Sequence, residues 1–179
     1  MFYISEIKTK APANYQTNLQ KMVYETLDKL NISFERVDTD EAITMDDCVL
    51  INEKLNMNMV KTLFLCNRQE TNFYLFITKG DKHFSSKDFS NALGISRVSF
   101  AKADKMESIL GTKIGAATVF STLLDNDNKV KIVMDKDVLD ENYYGCSDGT
   151  TTGYMKIKTD NIVDDFLKFT KHTPSIIEI

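Results

Sequence analysis

The chain has 179 residues, 42% hydrophobic and 27% charged, long enough for one well-buried core and too ordinary in balance for a disordered chain or a fibre. A formal net charge of -4 argues against a protein that wraps DNA or RNA through bulk electrostatics, and leaves room for a local basic patch on one RNA end. No apolar run approaches the roughly 20 residues that span a bilayer, and Met1 to Lys10 carries Glu6, Lys8 and Lys10 without an apolar leader core, so no membrane partner is expected.

One domain over residues 1–179 is expected, with 1–16 as a candidate N-terminal extension. From Thr17 to Leu30 the apolar residues Leu19, Met22, Val23, Leu27 and Leu30 form the stripe of an amphipathic helix, and Asn31 stops it. Ile32 to Val37 reads as a strand. Thr44 is placed to cap a second helix through Cys48, Ile51 and Leu55, with Asp46 and Asp47 in its first turn.

Val60 to Cys66 is β-branched and aromatic, the pattern of a buried strand. Alternation puts Lys61 on the same face as Leu63 and Leu65. That ammonium either snorkels to water along its stem or forms the cationic floor of a cleft that receives an anion or a developing oxyanion. Asn67 to Asn72 reads as a turn, and Phe73 to Thr78 as the returning strand. Ser85 opens a helix that Gly94 closes, Val98 to Ala101 is a short strand, and Lys105 to Leu110 is a helix ended by Gly111.

Gly111 to Phe120 is a small-residue loop, suited either to a tight turn or to backbone approaching a ligand closely. Thr118 to Leu123 and Lys129 to Met134 read as strands joined by the turn Asp125 to Asn128, which lacks the glycine and distal glutamate of a calcium loop. Gly145 to Gly153 is a polar loop rich in hydroxyls and glycine, followed by a strand through Met155 and Ile157. A last helix, Asp160 to Thr170, turns Ile162, Val163, Phe166 and Phe169 inward, and Ser175 to Ile179 adds an edge strand. Hairpins mixed with helices of unequal length give an α+β class.

Cys48, Cys66 and Cys146 are odd in number and lack metal-type spacing, which suits reduced thiols in a cytoplasmic protein. His83 and His172 are the only histidines, too little material for a histidine metal site or a Ser-His-Asp triad, and both read as structural. No metal and no cofactor is expected.

At Lys61-Thr-Leu-Phe-Leu65 the chain resembles the YbaK family of aminoacyl-tRNA editing domains, in particular freestanding prolyl-tRNA editing proteins. Further matches follow in order: Val98-Ser-Phe100, Leu110-Gly111, the Gly115 to Phe120 loop, Asp135-Lys-Asp-Val-Leu-Asp140 and the helix around Asp164-Asp-Phe-Leu167. The resemblance implies a mixed, strongly curved, largely antiparallel sheet flanked by helices. It also implies a cytoplasmic hydrolase that cuts the ester between a wrong amino acid, alanine or in a neighbouring branch cysteine, and tRNA(Pro). Its partner would be the acceptor end of the mischarged tRNA, with prolyl-tRNA synthetase as a second candidate and no DNA.

The family's active-site lysine maps to Lys61 and its glycine loop to Gly115. Many relatives carry a His-Pro pair that, aligned without gaps from Asp135, falls on Ser147 and Asp148, and a serine cannot serve as a base at neutral pH. The expected chemistry is therefore Lys61 as a fixed charge, main-chain N–H groups near Gly115 and Ala116 on the oxyanion, and the neighbouring ribose hydroxyl orienting the water. Val60, Ile114, Ala117 and Thr118 are candidate pocket walls, Ser147, Thr150 and Thr151 candidate hydroxyl contacts, and Lys21, Lys54, Lys79 and Lys82 candidate tRNA contacts. The rival expectation is an editing fold without the reaction, binding or sensing charged tRNA or a free amino acid.

Overall fold

Helix α1 (Asn18–Lys29) begins where the Thr17 hydroxyl accepts the Gln20 N–H, a cap worth about 1 kcal/mol. It ends in a left-handed residue, Asn31 (φ 58°), with Ile32 N–H on Leu27 O and Asn31 N–H on Asp28 O, the paired bonds of a Schellman stop. The computed structural model describes residues 1–42 and 44–179. Leu19, Val23 and Leu27 are buried as the periodicity requires, while Met22 and Leu30 sit at the edge of the stripe.

The mixed sheet expected from the sequence is present as two ladders. One is antiparallel, in the order β1 (Phe34–Asp38), β7 (Gly153–Lys158), β6 (Tyr143–Ser147). The other runs β4 (Ser99–Phe100), β2 (Val60–Cys66), β3 (Phe73–Lys79), β5 (Val130–Asp135), β8 (Ser175–Ile177). In it β4 and β3 pair antiparallel to β2, whereas β3–β5 and β5–β8 are parallel. The two ladders meet at a single parallel bridge, Met59 to Gly145.

Both faces of the five-stranded ladder are covered, so β3 reads as the unbroken apolar run Phe-Tyr-Leu-Phe-Ile. Phe64, Cys66, Leu75 and Ile77 face a core filled by α1 and by Phe120 and Phe166. Leu65, Tyr74 and Phe76 face a second core around Phe89 of α3 (Ser86–Leu93). Helix α2 (Met45–Leu55) starts in a complete capping box between Thr44 and Asp47 and buries Ile51 and Leu55 against Val37 and Tyr154. Residues 4–10 are laid along β1, with Ser5 N–H on Asp38 O at 2.8 Å and reciprocal bonds between Lys8 and Arg36.

Three sequence expectations change. Thr118 to Leu123 is not a strand: Val119–Leu124 is a 3₁₀ helix, capped by the Thr118 hydroxyl accepting Phe120 N–H and pinned by Ser121 Oγ donating to Leu110 O. A short buried apolar run has no period that separates strand from helix, and here the local hydroxyls decide. Gly145 to Ser147, read as the start of a polar loop, belong to strand β6. In the last helix, a π-helical turn (Asn161–Phe166) leading into a short α-helical turn (Leu167–Phe169), Leu167 takes the inward place and Phe169 lies outside beneath Lys29.

Candidate active site

Strands β2 and β6 leave the Met59–Gly145 bridge in the same direction and then separate. Gly145 is required at that joint, because a Cβ there would stand 2.7 Å from Met57 Sδ and 3.0 Å from Asn58 O. Two residues past the bridge on each strand stand Lys61 and Ser147. Further along, β4 closes the edge of β2 at Leu65 and Cys66. Between bridge and β4 the edge of β2 is open, and a cavity of about 770 Å³ fills the gap, lined by Lys61, Gly115, Cys146 and Ser147 among others. Phe64 O accepts Ala101 N–H on the β4 side, so by alternation the main-chain N–H and C=O of Thr62 face this gap. That pair of main-chain groups is a candidate contact the sequence reading missed, since only the strand order exposes it.

The Lys61 amine is half-buried and donates to Lys82 O at 2.5 Å. Among the described residues it has no carboxylate within ion-pair distance. The four lysines expected to meet tRNA are all paired instead: Lys21 with Glu25, Lys54 with Glu6, Lys79 with Glu141, and Lys82 with Asp135 and Asp137. An ammonium has three donors, so Lys61 keeps two and its full charge for a ligand.

Its acceptor is held from below. The Lys82 side chain reaches Asp135 at 2.7 Å, Asp137 at 2.9 Å and the main-chain oxygen of Ile179 at 2.5 Å, and Thr78 Oγ1 donates to Asp135 at 2.7 Å. Burial alone would push the Asp135 carboxyl up, but the bonds from Lys82, Thr78 and Asp137 N–H outweigh it and hold the carboxyl below its usual range. Burial likewise opposes the Lys82 charge, and the two aspartates outweigh it and raise the amine.

A carboxyl depressed in the folded state binds fewer protons there than in the unfolded chain. Its stabilisation is complete above about pH 4 and disappears as pH falls through the lower folded value. The urea midpoint of Asp135→Asn is therefore expected to fall less steeply than wild type below about pH 4. Parallel acid limbs for the two proteins would show that Asp135 carries no such linkage.

The glycine loop enters the cleft from the other side. Gly115 (φ 89°) sits in a conformation open to glycine, and the Cβ position there is unobstructed, so the requirement is backbone strain and not crowding. Ala116 does not offer a donor: its N–H is already bonded to Lys113 O at 3.1 Å, and its side chain is buried outside the cleft lining. Gly115 and Ala117 both line the cleft, and among the described residues neither N–H has an acceptor. Ile114 and Val60 also line it. Thr118 does not: it is fully buried, donating to Ser147 O at 3.2 Å.

Ser147 lines the cleft with its hydroxyl donated to Ala116 O at 3.3 Å, tying the two loops together. Beyond it the chain turns on Asp148, a buried carboxylate that accepts from Gln20 Nε2 (2.9 Å), Tyr24 Oη (2.8 Å), Thr150 N (3.2 Å) and Thr150 Oγ1 (2.7 Å). Burial, reinforced by the Asp148 charge, keeps the Tyr24 hydroxyl protonated as a donor. Thr151 lies outside the cleft, its hydroxyl on Glu41 Oε1 at 3.0 Å and its carbonyl accepting Ala42 N–H. The β6–β7 connection turns it toward the 41–42 segment, so it anchors the loop and does not face the cavity.

Residues 39–164 match the family model described as the aminoacyl-tRNA editing domain, and this span contains every residue that lines the cleft. The chain belongs to that family. The prolyl-tRNA editing protein ProX of Acetoanaerobium sticklandii is 27% identical over 67% of this chain and 73% of its own length. The prolyl-tRNA synthetase associated domain-containing protein 1 of Danio rerio is 25% identical over 89% of this chain and 87% of its own. The fold is shared with a solved candidate trans-editing enzyme for prolyl-tRNA synthetase, with a TM-score of 0.62 and 13% identity over 92% of this chain and 99% of that one.

In this editing domain no imidazole lines the cleft among the described residues. His172 is buried elsewhere, its ring bridging Asp125 (2.9 Å) and Thr170 O (2.8 Å), and the exposed His83 does not line the cavity. Cys146 does line it, but burial, with the Asp148 charge behind it, pushes the thiol far up, so it is a neutral wall and not a nucleophile. The carboxylates that reach the rim are Asp81 and Glu141, the latter paired with Lys79. Among the described residues no three metal-type ligands gather, and no helix is long and apolar enough to cross a membrane.

Proposed function

We propose that this protein is a trans-editing deacylase that hydrolyses alanyl-tRNA(Pro) after the synthetase has released it. The observation that carries the reading is the Lys61 amine, uncompensated by any carboxylate and sharing one cleft with the free N–H groups of the glycine loop. The name of the Acetoanaerobium sticklandii relative points to the same substrate class.

An aminoacyl ester is already activated, so a positioned water and a stabilised oxyanion supply most of what hydrolysis needs. Water adds to the ester carbonyl, and the negative charge that collects on its oxygen is met by Lys61 Nζ and the N–H groups of Gly115 and Ala117. The ester C–O bond then breaks, and the ribose oxygen leaves and takes up a proton. With no imidazole in the cleft, the neighbouring ribose hydroxyl orients the attacking water and passes its proton.

Selection follows from size. A synthetase pocket built for proline rejects the smaller alanine by only a few kcal/mol, and a second pocket that admits alanine and crowds proline restores the difference. Val60, Ala117 and Cys146 are the walls available for that sieve. The purified protein is expected to release alanine from tRNA(Pro) at least about tenfold faster than proline, the lower end of what a few methylenes discriminate. Equal rates for the two esters would remove the sieve.

A second reading, an editing fold that binds aminoacyl-tRNA or an amino acid without turnover, is favoured by the engaged Ser147 hydroxyl and the missing imidazole. Saturable binding of alanyl-tRNA(Pro) with no release of alanine in the same assay would establish it.

A further inference from the structure

We propose that the mouth of the cleft is a base-binding subsite in which Phe100, with Ile114 as a second apolar contact, holds the terminal adenine of the RNA that carries the ester. This rests on the deacylase reading and adds a specificity element to it.

Volume is the first argument. A cavity of about 770 Å³ lies in the range that encloses a drug-sized ligand, and a two- or three-carbon aminoacyl group leaves most of it empty. Lys61, Gly115 and Ser147 all line it. Beside them and the polar Asn52, Asn58, Asp81 and Glu141, much of the lining is large and apolar. Met45 (68% exposed), Val49, Phe100 (60%) and Ile114 (71%) come from α2, β4 and the glycine loop, and all four line this one cavity. Single exposed apolar residues need no explanation, whereas four from three separate elements lining one cavity mark a contact surface.

Orientation is the second. The backbone of Phe100 is fixed by pairing with Leu65, and by Ala101 N–H on Phe64 O at 2.9 Å. Its ring meets Phe84 in a T-shaped contact at 5.6 Å, and Phe84 is itself packed on Phe76 and Phe89 at 6.0 Å. An aromatic ring held this firmly yet more than half open to solvent is a preorganised stacking platform.

The occupant follows from chemistry. The ester sits on the last ribose of the RNA, so whatever places its carbonyl near Lys61 carries the attached base toward the mouth. The one lysine at the rim besides Lys61 is Lys79, neutralised by Glu141, so the mouth offers little to a phosphate and much to a flat π face.

The test compares two stable amide analogues, 3′-alanylamido-3′-deoxyadenosine and the same sugar without its base, by calorimetry on the whole chain. Wild type is expected to bind the adenosine analogue at least about tenfold more tightly, the effect of one stacked base. Phe100→Ala should bring the two within about twofold and leave the base-free analogue's affinity unchanged, and Phe100→Tyr should restore the gap. A gap that persists in Phe100→Ala, or no gap in wild type while alanyl-tRNA is still hydrolysed, overturns the subsite alone. If wild type binds neither analogue and hydrolyses no alanyl-tRNA, the deacylase reading falls and the subsite with it.

Discussion

Lys61→Ala should release alanine from tRNA(Pro) about 10²–10³-fold more slowly than wild type in single-turnover measurements, the size of loss seen when one oxyanion donor is removed from a preorganised site. Its stability should change little, because the side chain is half-buried and gives up one hydrogen bond, to Lys82 O, worth about 1 kcal/mol. Lys61→Arg should not rescue the rate. A guanidinium is a planar fork, and the single carbonyl that holds the lysine amine cannot align it, so the charge returns in the wrong place. Unchanged release by Lys61→Ala would take the amine out of the mechanism and leave the main-chain donors to account for everything.

Asp148→Ala is expected to lower the unfolding free energy by about 2–6 kcal/mol, roughly 1–3 for each of the two buried donors it leaves unpaired. In a chain of this length that moves the thermal midpoint by roughly 10 °C. The carboxylate satisfies three residues at once, and its removal strands Tyr24 Oη and Gln20 Nε2 in a place water does not reach. Asp148→Asn should also be costly, because an amide group turns a donor toward donors. Gly153→Ala attacks the same cradle from the opposite side, since its Cβ would stand 2.3 Å from Asp148 Oδ2. Urea titration of Asp148→Ala with a loss under about 1 kcal/mol, within the reach of a single ordinary hydrogen bond, would mean that the loop is organised by something else.

Strand β2 was legible in the sequence at both ends, because a β-branched and aromatic run bounded by turn residues admits few other forms. The caps at Thr44 and Ser85 and the stops at Gly94 and Gly111 were legible for the same local reason. The 3₁₀ helix at Val119–Leu124 was not, since its conformation depends on a hydroxyl reaching Leu110, a partner that spacing does not reveal.

At the site, the resemblance points to Lys61 and the glycine loop, and both line the cleft. What could not be read was which main-chain groups are already spent. Ala116 N–H is consumed by a turn within its own loop, and Thr151 is drawn off by Glu41, more than a hundred residues earlier in the chain. Asp148 offers a partial lesson. A buried aspartate among glycines and threonines signals a loop organiser, but its partners Gln20 and Tyr24 lie on a helix whose docking no periodicity announces.

The bridge between Met59 and Gly145 acts as the rivet of a pair of scissors, with Lys61 two residues along one blade and Ser147 two residues along the other. A small rotation at such a rivet is magnified toward the tips. A change at residues 57–59, which pack against Gly145 at the joint, would therefore shift Lys61 and Ser147 relative to one another without replacing either side chain.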